Sequence, residues 1–280
     1  MKINWFPGHM KKTLDKMRED IKNVDIVMYV LDARAPFSCF NPSIDEIVKG
    51  RDSKLLYVIN KCDLISQKDE NKIIQSFEGK NVLCVQGNNK NFRQALLNKL
   101  MELVKQKYDN FMAKGVFPIF KVMVIGTPNT GKSTIINTLC SSKKKTMTGD
   151  KAGVTKITQW VKINENFALL DTPGTLWPRF EEELLPLKLA FIGSIKKEVV
   201  DEEELGFEFV KFMLEKDSSF LEQRYGVSDF DREPIEIYDE ILLKSGCVRK
   251  GGEVDYSRGA SKVLEDFRSG RLGKICLDLV

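Results

Sequence analysis

Residues 126–133 read Gly126-Thr127-Pro128-Asn129-Thr130-Gly131-Lys132-Ser133, directly after the apolar run 122–125 and before a helix-like segment. A glycine-bounded loop in this context is typical of phosphate binding, because successive backbone N–H groups and the helix N-terminus form a concave anion site. We expect Lys132 to reach the β- and γ-phosphates of a nucleotide and the Ser133 hydroxyl to ligate Mg²⁺. The alternative, a glycine-punctuated turn with an incidental lysine, does not account for the flanking strand and helix. The predicted nucleotide contacts here are Asn129, Thr130, Gly131, Lys132, Ser133 and Thr134.

A second motif, Asp171-Thr172-Pro173-Gly174, ends a later strand-like run. A carboxylate at the carboxyl end of a strand beside a phosphate loop can hold Mg²⁺ through its water shell, which is the role expected for Asp171. Gly174 has no side chain, so its backbone N–H can approach the γ-phosphate closely. Alone, the motif is typical of an ordinary turn. It indicates a nucleotide site only together with the phosphate loop.

The segment Asn60-Lys61-Cys62-Asp63 ends another apolar strand. The carboxylate of Asp63 can accept hydrogen bonds from N1–H and the exocyclic amine of guanine, a donor pair that adenine lacks. We expect Lys61 to lie along the base and Asn60 to tie this loop to the phosphate-binding segment. A polar turn leading into a helix cap is the other interpretation, and the neighbouring motifs favour guanine recognition. The next strand ends at Gln86-Gly87-Asn88, which are candidates for contact with guanine O6.

Strand-like and helix-like patterns alternate over residues 1–180. Apolar runs predict buried strands at 24–31, 55–60, 82–85 and 120–126, and shorter strands at 159–163 and 167–171 predict a hairpin. Helical patterns lie at 10–21, 43–49, 66–77, 92–107 and 132–139, with Ser43 and Ser66 as N-caps. The alternation predicts a mainly parallel α/β sheet covered by helices on both faces. After Pro178 only helices are predicted, at 181–196, 202–214, 220–225, 234–244 and 255–269.

The composition is that of a globular protein: of 280 residues, 42% are hydrophobic and 30% charged, which excludes a disordered or collagen-like chain. No apolar run reaches the ~18 residues needed to span a membrane, and the first residues do not resemble a secretory signal. The six cysteines include no Cys-x-x-Cys pair, so we expect reduced, buried thiols instead of disulfides or zinc ligands. Residues 1–178 carry 28 Lys and Arg against 17 Asp and Glu, whereas residues 179–280 carry 16 against 23. The basic first part is consistent with a polyanionic partner, although a solvated charged surface is the simpler explanation.

Asn-Lys-x-Asp, Gly-x-x-x-x-Gly-Lys-Ser and Asp-x-x-Gly are together hallmarks of the translation-factor-like GTPases, but their order here is unusual. The guanine motif at 60–63 precedes the phosphate loop at 126–133, so the chain resembles a circularly permuted GTPase. Further segments are similar to the bacterial ribosome biogenesis GTPase A family, and the likeness runs over nearly the whole chain. These segments are Trp5-Phe6-Pro7-Gly8-His9-Met10, Asp32-Ala33-Arg34-Ala35-Pro36, Gly153-Val154-Thr155 and Asp171-Thr172-Pro173-Gly174-Thr175-Leu176-Trp177-Pro178.

The resemblance implies a P-loop GTPase domain with permuted sheet order over residues 1–178 and an all-helical domain over 179–280 that contacts ribosomal RNA. It implies a cytoplasmic, Mg²⁺-dependent factor that binds a late precursor of the large ribosomal subunit in its GTP state and is released on hydrolysis. We expect a monomer without membrane attachment. We also expect slow turnover alone and stimulation by the large subunit, because Thr175 stands where many GTPases carry a water-positioning glutamine.

The resemblance also implies roles for single residues. Thr155 is the candidate switch threonine that closes over Mg²⁺ and the γ-phosphate, with Thr148 and Thr158 as competitors. His9, the one histidine of the chain, is the candidate to orient the attacking water; alternatively, it only begins the first helix. Asn129 resembles the asparagine of potassium-dependent GTPases, in which K⁺ adds positive charge to the transition state, and simple loop hydrogen bonding is the other possibility. The predicted catalytic residues are His9, Lys132 and Thr155, and the predicted Mg²⁺ ligands are Ser133, Thr155 and Asp171.

Basic side chains without interleaved aromatics favour contact with an RNA backbone over base reading. The candidates are Lys143, Lys144, Lys145, Arg249, Lys250, Arg258, Lys262, Arg268, Arg271 and Lys274. For the three consecutive lysines a solvated run is equally consistent with the sequence. Two other functions stay open at this point. One is a GTP-gated RNA-binding scaffold with incidental hydrolysis, and the other is a P-loop kinase that uses ATP, which Asp63 disfavours.

Overall fold

A six-stranded sheet forms the centre of the fold in the computed structural model, which describes residues 17–49, 51–86, 92–140, 160–171 and 184–280. The strands are β1 (Ile26–Asp32), β2 (Lys54–Asn60), β3 (Asn81–Val85), β4 (Phe120–Ile125), β5 (Trp160–Lys162) and β6 (Phe167–Asp171). Their spatial order is β3-β2-β1-β4-β6-β5, with all neighbours parallel except the β5–β6 hairpin. The predicted strands and the hairpin are confirmed, with bounds that differ by at most two residues.

The central strands are buried on both faces, as their continuous apolar sequences predict. All seven residues of β1 are buried. Val27, Tyr29 and Leu31 belong to one hydrophobic cluster, and their neighbours Ile26, Met28 and Val30 belong to a second cluster on the opposite face. Helices therefore cover both sides of the sheet, which is the layer arrangement predicted from the sequence.

Eleven helices surround the sheet in the described part of the chain. They are α1 (17–20), α2 (Pro36–Cys39), α3 (Pro42–Val48), α4 (Gln67–Ser76), α5 (Phe92–Met112), α6 (Lys132–Leu139), α7 (Leu184–Phe191), α8 (Glu202–Lys216), α9 (Ser219–Tyr225), α10 (Pro234–Lys244) and α11 (Tyr256–Arg268). Within these residues no helix combines the length and apolar character needed to cross a bilayer. Ser66 caps α4 as predicted, since its side chain accepts from the backbone N–H of Asp69.

Several helix bounds differ from the sequence expectations, each for a local reason. The cap predicted at Ser43 is wrong, because α3 begins at Pro42, a residue suited to a first turn. The short helix α2 was not predicted, since four residues carry no periodicity. Helix α5 continues past the predicted end at 107, where Tyr108 packs on Phe120. Helix α7 ends at Phe191, well before the predicted 196, because the chain turns through Gly193 at a φ of 82°.

The helical region after residue 184 packs against one face of the sheet. Buried side chains of α7, α8, α10 and α11 belong to the same hydrophobic cluster as Val27, Tyr29 and Leu31. The final segment also pairs with the sheet side, where the backbone N–H of Leu277 donates to the carbonyl of Arg34 at 2.7 Å. The boundary predicted at 178 lies outside the described residues, so the division into domains 1–178 and 179–280 stays a prediction.

The strand order reverses at one point in the sheet, between β1 and β4, so the loops that follow these two strands lead to opposite sides. From β1 the chain proceeds to β2 and β3 on one side, whereas β4, which pairs with β1, is followed by β6 on the other side. Crevices at the carboxyl ends of strands at such a switch point are the usual ligand sites of open α/β sheets. The loop after β4 and the loop after β2 both lie at this edge.

Candidate functional site

The loop between β4 and α6 requires glycine at both ends. Gly126 has a φ of 151°, and a Cβ atom there would lie 2.3 Å from the carbonyl oxygen of Val30 on β1. Gly131 has a φ of 94°, and a Cβ atom there would lie 2.1 Å from Nδ2 of Asn60. Because no side chain fits at either position, the backbone of this loop can pack closely against the ends of β1 and β2.

Lys132 brings a positive charge into the loop. Its ammonium donates to the carbonyl oxygens of Gly126 at 3.1 Å and Thr127 at 2.8 Å, and the residue is 7% exposed. Ser133 is half-buried and Thr134 is exposed in the first turn of α6. A concave loop at a helix N-terminus with a lysine inside it suits an anion, and the binding of phosphate there stays a prediction.

The loop after β2 is hydrogen-bonded to the phosphate loop. Nδ2 of Asn60 donates to the carbonyl oxygen of Thr130 at 2.8 Å, which is the link predicted between the two motifs. Lys61 follows with a left-handed φ of 65°, and its ammonium donates to the carbonyl oxygen of Asn129 at 2.9 Å. Two segments about 70 residues apart are thereby joined into one site.

Asp63 and Gln86 lie on the same side of the site but do not contact the phosphate loop in the described structure. Asp63 is half-buried in the short 3-10 turn Cys62–Leu64, and its carboxylate accepts no hydrogen bond from any described residue. Gln86 is exposed directly after β3, the strand next to β2. Both side chains are at least partly accessible to solvent, and their contact with a base stays a prediction.

A buried ion-pair network at the end of β1 holds the ammonium of Lys61 in place. Oδ2 of Asp32 accepts from the ammonium of Lys61 at 2.8 Å, and the two oxygens of Asp32 also accept from the guanidinium of Arg34. Burial alone would raise the pKa of the Asp32 carboxyl, but Arg34 and Lys61 outweigh it and hold that pKa well below its usual range. Burial also lowers the pKa of the Lys61 ammonium, an effect that Asp32 opposes.

Sequence analysis did not assign a role to Asp32 or Arg34. The available signal was an aspartate that ends an otherwise apolar strand and stands opposite Asn60 in the sheet register. The guanidinium of Arg34 additionally donates to the carbonyl oxygens of Ile192 and Arg268, both at 3.2 Å, so the network reaches the helical region.

The helical region also contacts the phosphate loop directly, which the sequence did not predict. Nδ2 of Asn129 donates to the carbonyl oxygen of Gly193 at 2.7 Å. The hydroxyl of Ser194, 1% exposed, donates to the carbonyl oxygen of Pro128 at 2.8 Å. The turn after α7 is therefore fixed to the tip of the phosphate loop.

The donors at this edge fit Mg²⁺ by their chemistry. Ser133 offers a hydroxyl in the first turn of α6, and the backbone of Asp171, the last residue of β6, is in register with Val124 of β4. Hydroxyl and carboxylate oxygens together with phosphate are the ligands that Mg²⁺ prefers. Their contact with the ion stays a prediction.

Several predicted site residues lie outside the described residues. They are His9, Gly87, Asn88, Thr155 with its competitors Thr148 and Thr158, Gly174, and the lysines 143–145.

The predicted RNA-contacting side chains of the helical region differ in availability. Arg268 donates to the carbonyl oxygens of Phe191 and Ala190, at 2.8 and 2.9 Å, and burial lowers its pKa. Its guanidinium therefore stabilises the fold and is not available for contact with RNA. The others are half-buried or exposed: Arg249, Lys250, Arg258, Lys262, Arg271 and Lys274. Within that set, Arg271 is ion-paired with Glu265 and Asp266.

Known proteins share both the sequence and the fold. Residues 121–235 match the family model described as 50S ribosome-binding GTPase. A relative from Bacillus cereus named ribosome biogenesis GTPase A is 36% identical, over 99% of this chain and 94% of its own. Mitochondrial ribosome-associated GTPase 1 of Mus musculus is also 36% identical, over 98% of this chain and 89% of its own. The crystal structure of GNP-bound YlqF from T. maritima superposes with a TM-score of 0.64, at 25% identity and over 95% and 97% of the two chains.

The order of the two loops and the sheet order are those of a circularly permuted P-loop fold, with the base-side loop after β2 and the phosphate loop after β4. Because a relative above one-third identity matches nearly the full length of both chains, the chain belongs to the ribosome biogenesis GTPase A family.

Proposed function

We propose that this GTPase is an assembly factor for the large ribosomal subunit, which binds a late precursor in its GTP state and leaves after hydrolysis. The observation that carries the nucleotide part is the hydrogen bonding between the two loops, from Asn60 to Thr130 and from Lys61 to Asn129. The names of its relatives support the ribosomal part. We propose that it acts in the cytoplasm as a monomer.

In the proposed complex the guanine ring lies along Lys61, and the Asp63 carboxylate accepts from N1–H and the exocyclic amine. Gln86, Gly87 and Asn88 line the side of guanine O6. At the other end, the phosphates occupy the concave loop, contacting the backbone from Asn129 to Thr134 and Gly174. Lys132 then exchanges its bonds to Gly126 and Thr127 for the β- and γ-phosphate oxygens.

For hydrolysis we propose that His9 orients the attacking water and that Lys132 stabilises the charge on the transferred phosphoryl group. Ser133, Thr155 and Asp171 would hold Mg²⁺, which neutralises phosphate charge when bound. Asn129 is the proposed K⁺ ligand. Its Nδ2 donates to Gly193, which leaves the amide oxygen as the atom that can face a cation.

The proposed ribosomal contact is made through phosphates of RNA. The helical region offers exposed or half-buried basic side chains for this role, namely Arg249, Lys250, Arg258, Lys262, Arg271 and Lys274. The lysines 143–145, which lie outside the described residues, are proposed for the same role from the sequence alone. A structural change at the nucleotide can be transmitted to the helical region, because Asn129 and Pro128 of the phosphate loop are hydrogen-bonded to Gly193 and Ser194.

The decisive experiment measures GTP turnover by the purified chain with and without large ribosomal subunits, in K⁺ and in Na⁺. We expect slow turnover alone and strong stimulation by the subunit, with K⁺ more effective than Na⁺. Equal rates with and without the subunit would overturn the ribosomal part, and equal rates in the two salts would overturn the role of K⁺.

The matched variants separate nucleotide choice from catalysis. Asp63→Asn should weaken GTP and favour xanthosine triphosphate, whose ring replaces the amine donor with a carbonyl acceptor. His9→Ala should lose subunit-stimulated hydrolysis while GTP affinity persists. If RNA binding and cellular function both survive in His9→Ala, the protein is a GTP-gated scaffold and hydrolysis is incidental. A preference of the native chain for ATP would instead indicate a P-loop kinase.

A further inference from the structure

A cluster of two thiols and one carboxylate lies behind the guanine-side loop. Cys62 is in the turn after β2, Cys84 is in β3, and Glu70 is in the first turn of α4. The two Sγ atoms and a carboxylate oxygen of Glu70 all lie within 4.8 Å of one another. No role in nucleotide binding is predicted for any of these three side chains.

The sheet register explains how residues 22 positions apart in sequence come together. Cys84 stands opposite Ile59 of β2, and Cys62 follows three residues later, after the left-handed turn at Lys61. That turn folds Cys62 back towards the strand end, where its thiol donates to the carbonyl oxygen of Ile59 at 3.2 Å. The sequence spacing of these cysteines matches no metal motif, so the sequence alone predicts reduced, buried thiols instead of zinc ligands.

We propose that Cys62, Cys84 and Glu70 form a binding site for a thiophilic divalent cation, with Zn²⁺ as the natural class. Zinc bonds thiolate sulfur at about 2.3 Å and carboxylate oxygen at about 2.1 Å, so tetrahedral ligand atoms lie roughly 3.5–3.8 Å apart. Since these atoms lie within 4.8 Å of one another, they need to approach by at most about 1.3 Å. The three protein ligands leave a fourth position for water, the arrangement of an open zinc site.

The surroundings suit a cation. Cys62 is 8% exposed, whereas Cys84 and Glu70 are half-buried, so the cluster is sheltered but can be reached from solvent. Glu70 forms no ion pair with any described residue, so its carboxylate is available as a ligand. Binding releases the two thiol protons to solvent and forms two sulfur–metal bonds and one oxygen–metal bond.

The cation would act on the turn that carries Asp63. Cys62 precedes Asp63 within the 3-10 turn Cys62–Leu64, and a bond from its sulfur to a metal held by β3 and α4 ties that turn to two further elements. The site would not compete with Mg²⁺, because Mg²⁺ prefers oxygen ligands and a thiolate pair favours softer ions.

The test titrates the full-length, reduced, nucleotide-free protein with Cd²⁺ and follows the thiolate-to-metal charge-transfer absorption, with Zn²⁺ then added as competitor. We expect one equivalent to bind and Zn²⁺ to displace it. Cys84→Ala should weaken binding at least about 100-fold, since a primary thiolate ligand is removed. Glu70→Gln, a change near the helix surface, should weaken it by about tenfold or more and keeps the test valid if Cys84→Ala folds poorly.

Cys140→Ala is the matched control, because Cys140 is half-buried like Cys84 but lies outside the cluster. Its affinity for Cd²⁺ should equal that of the native chain. The proposal is overturned if no stoichiometric binding occurs, if Cys84→Ala and Glu70→Gln bind normally, or if Cys140→Ala loses binding equally. It is also overturned if thiol titration of the protein isolated without reductant finds two fewer thiols than the six in the sequence, with Cys62 and Cys84 joined as a disulfide.

Discussion

Replacing Arg34 with methionine tests whether the ion pair at the end of β1 stabilises the fold. The side chain of Arg34 is 2% exposed, and it donates to Asp32 at 2.9 Å from Nε and 2.7 Å from Nη2. Two further bonds of 3.2 Å reach the carbonyl oxygens of Ile192 and Arg268. Methionine fills part of the same space but supplies none of these donors.

The expected loss of unfolding free energy follows from the acceptors that lose Arg34 as a donor. Asp32 is 1% exposed, and of its described donors it would keep the Lys61 ammonium at 2.8 Å and the backbone N–H of residue 34. Removing one partner of a buried pair costs about 3–5 kcal/mol. The retained lysine compensates part of the charge, and the two carbonyl oxygens lose bonds worth about 1 kcal/mol each. We expect the free energy of unfolding to fall by about 3 kcal/mol.

The assay is equilibrium urea denaturation followed by far-ultraviolet circular dichroism, without nucleotide, so that ligand binding adds nothing to the measured stability. Arg249→Met is the control, since its side chain is 59% exposed and lies 3.7 Å from Asp255. That variant should lose less than about 1 kcal/mol. Equal losses in the two variants, or no measurable loss in Arg34→Met, would refute the assignment of a stabilising role to the buried pair.

Three further outcomes are expected. Gly131→Ala should fold but bind GTP at least about tenfold more weakly in a fluorescent-nucleotide titration, because its Cβ would lie 2.1 Å from Nδ2 of Asn60 at a φ of 94°. The unfolding free energy should decrease as the pH falls below 3.8, the ordinary pKa of an aspartate. The reason is that the Asp32 carboxyl has a lower pKa in the fold, and its stabilising charge is lost on protonation. In Asp32→Asn, that part of a urea-denaturation pH profile should become flatter. Asp278→Ala removes the acceptor 2.9 Å from the backbone N–H of Ser38 at the start of α2, and should cost about 1–2 kcal/mol by urea denaturation, whereas Asp278→Asn should cost less.

The sheet and the phosphate loop were predictable because their signals are local. A buried parallel strand needs only a short apolar run, and the loop between β4 and α6 is marked by glycines at 126 and 131 and by Lys132 at the first position of the helix. The pairing of Asn60 with Thr130 was also predictable, since the chemistry of a guanine site requires the two loops to meet. The role of Asp63 in guanine recognition rests on the hydrogen-bond donors of the base alone and stays a prediction.

The network around Arg34 was not predictable, because its partners come from distant parts of the chain. Lys61 is 29 positions from Asp32, and the carbonyl oxygens of residues 192 and 268 belong to the helical region. Their proximity depends on how that region packs on the sheet, which no local pattern encodes. Helix α7 ends earlier than predicted for the same reason, because the turn at Gly193 is held by a hydrogen bond from the distant residue Asn129.

The permuted order of the loops also sets a sequence of events during synthesis. A ribosome releases the segment 60–63 well before residues 129 and 130, whose carbonyl oxygens hold Lys61 and Asn60. While a nascent chain ends short of β4, β1 lacks one of its two neighbours and the base-side loop lacks its anchor. The base-side and phosphate loops therefore meet only when nearly half of the polypeptide has emerged, and the predicted Mg²⁺ ligand Asp171 follows later still.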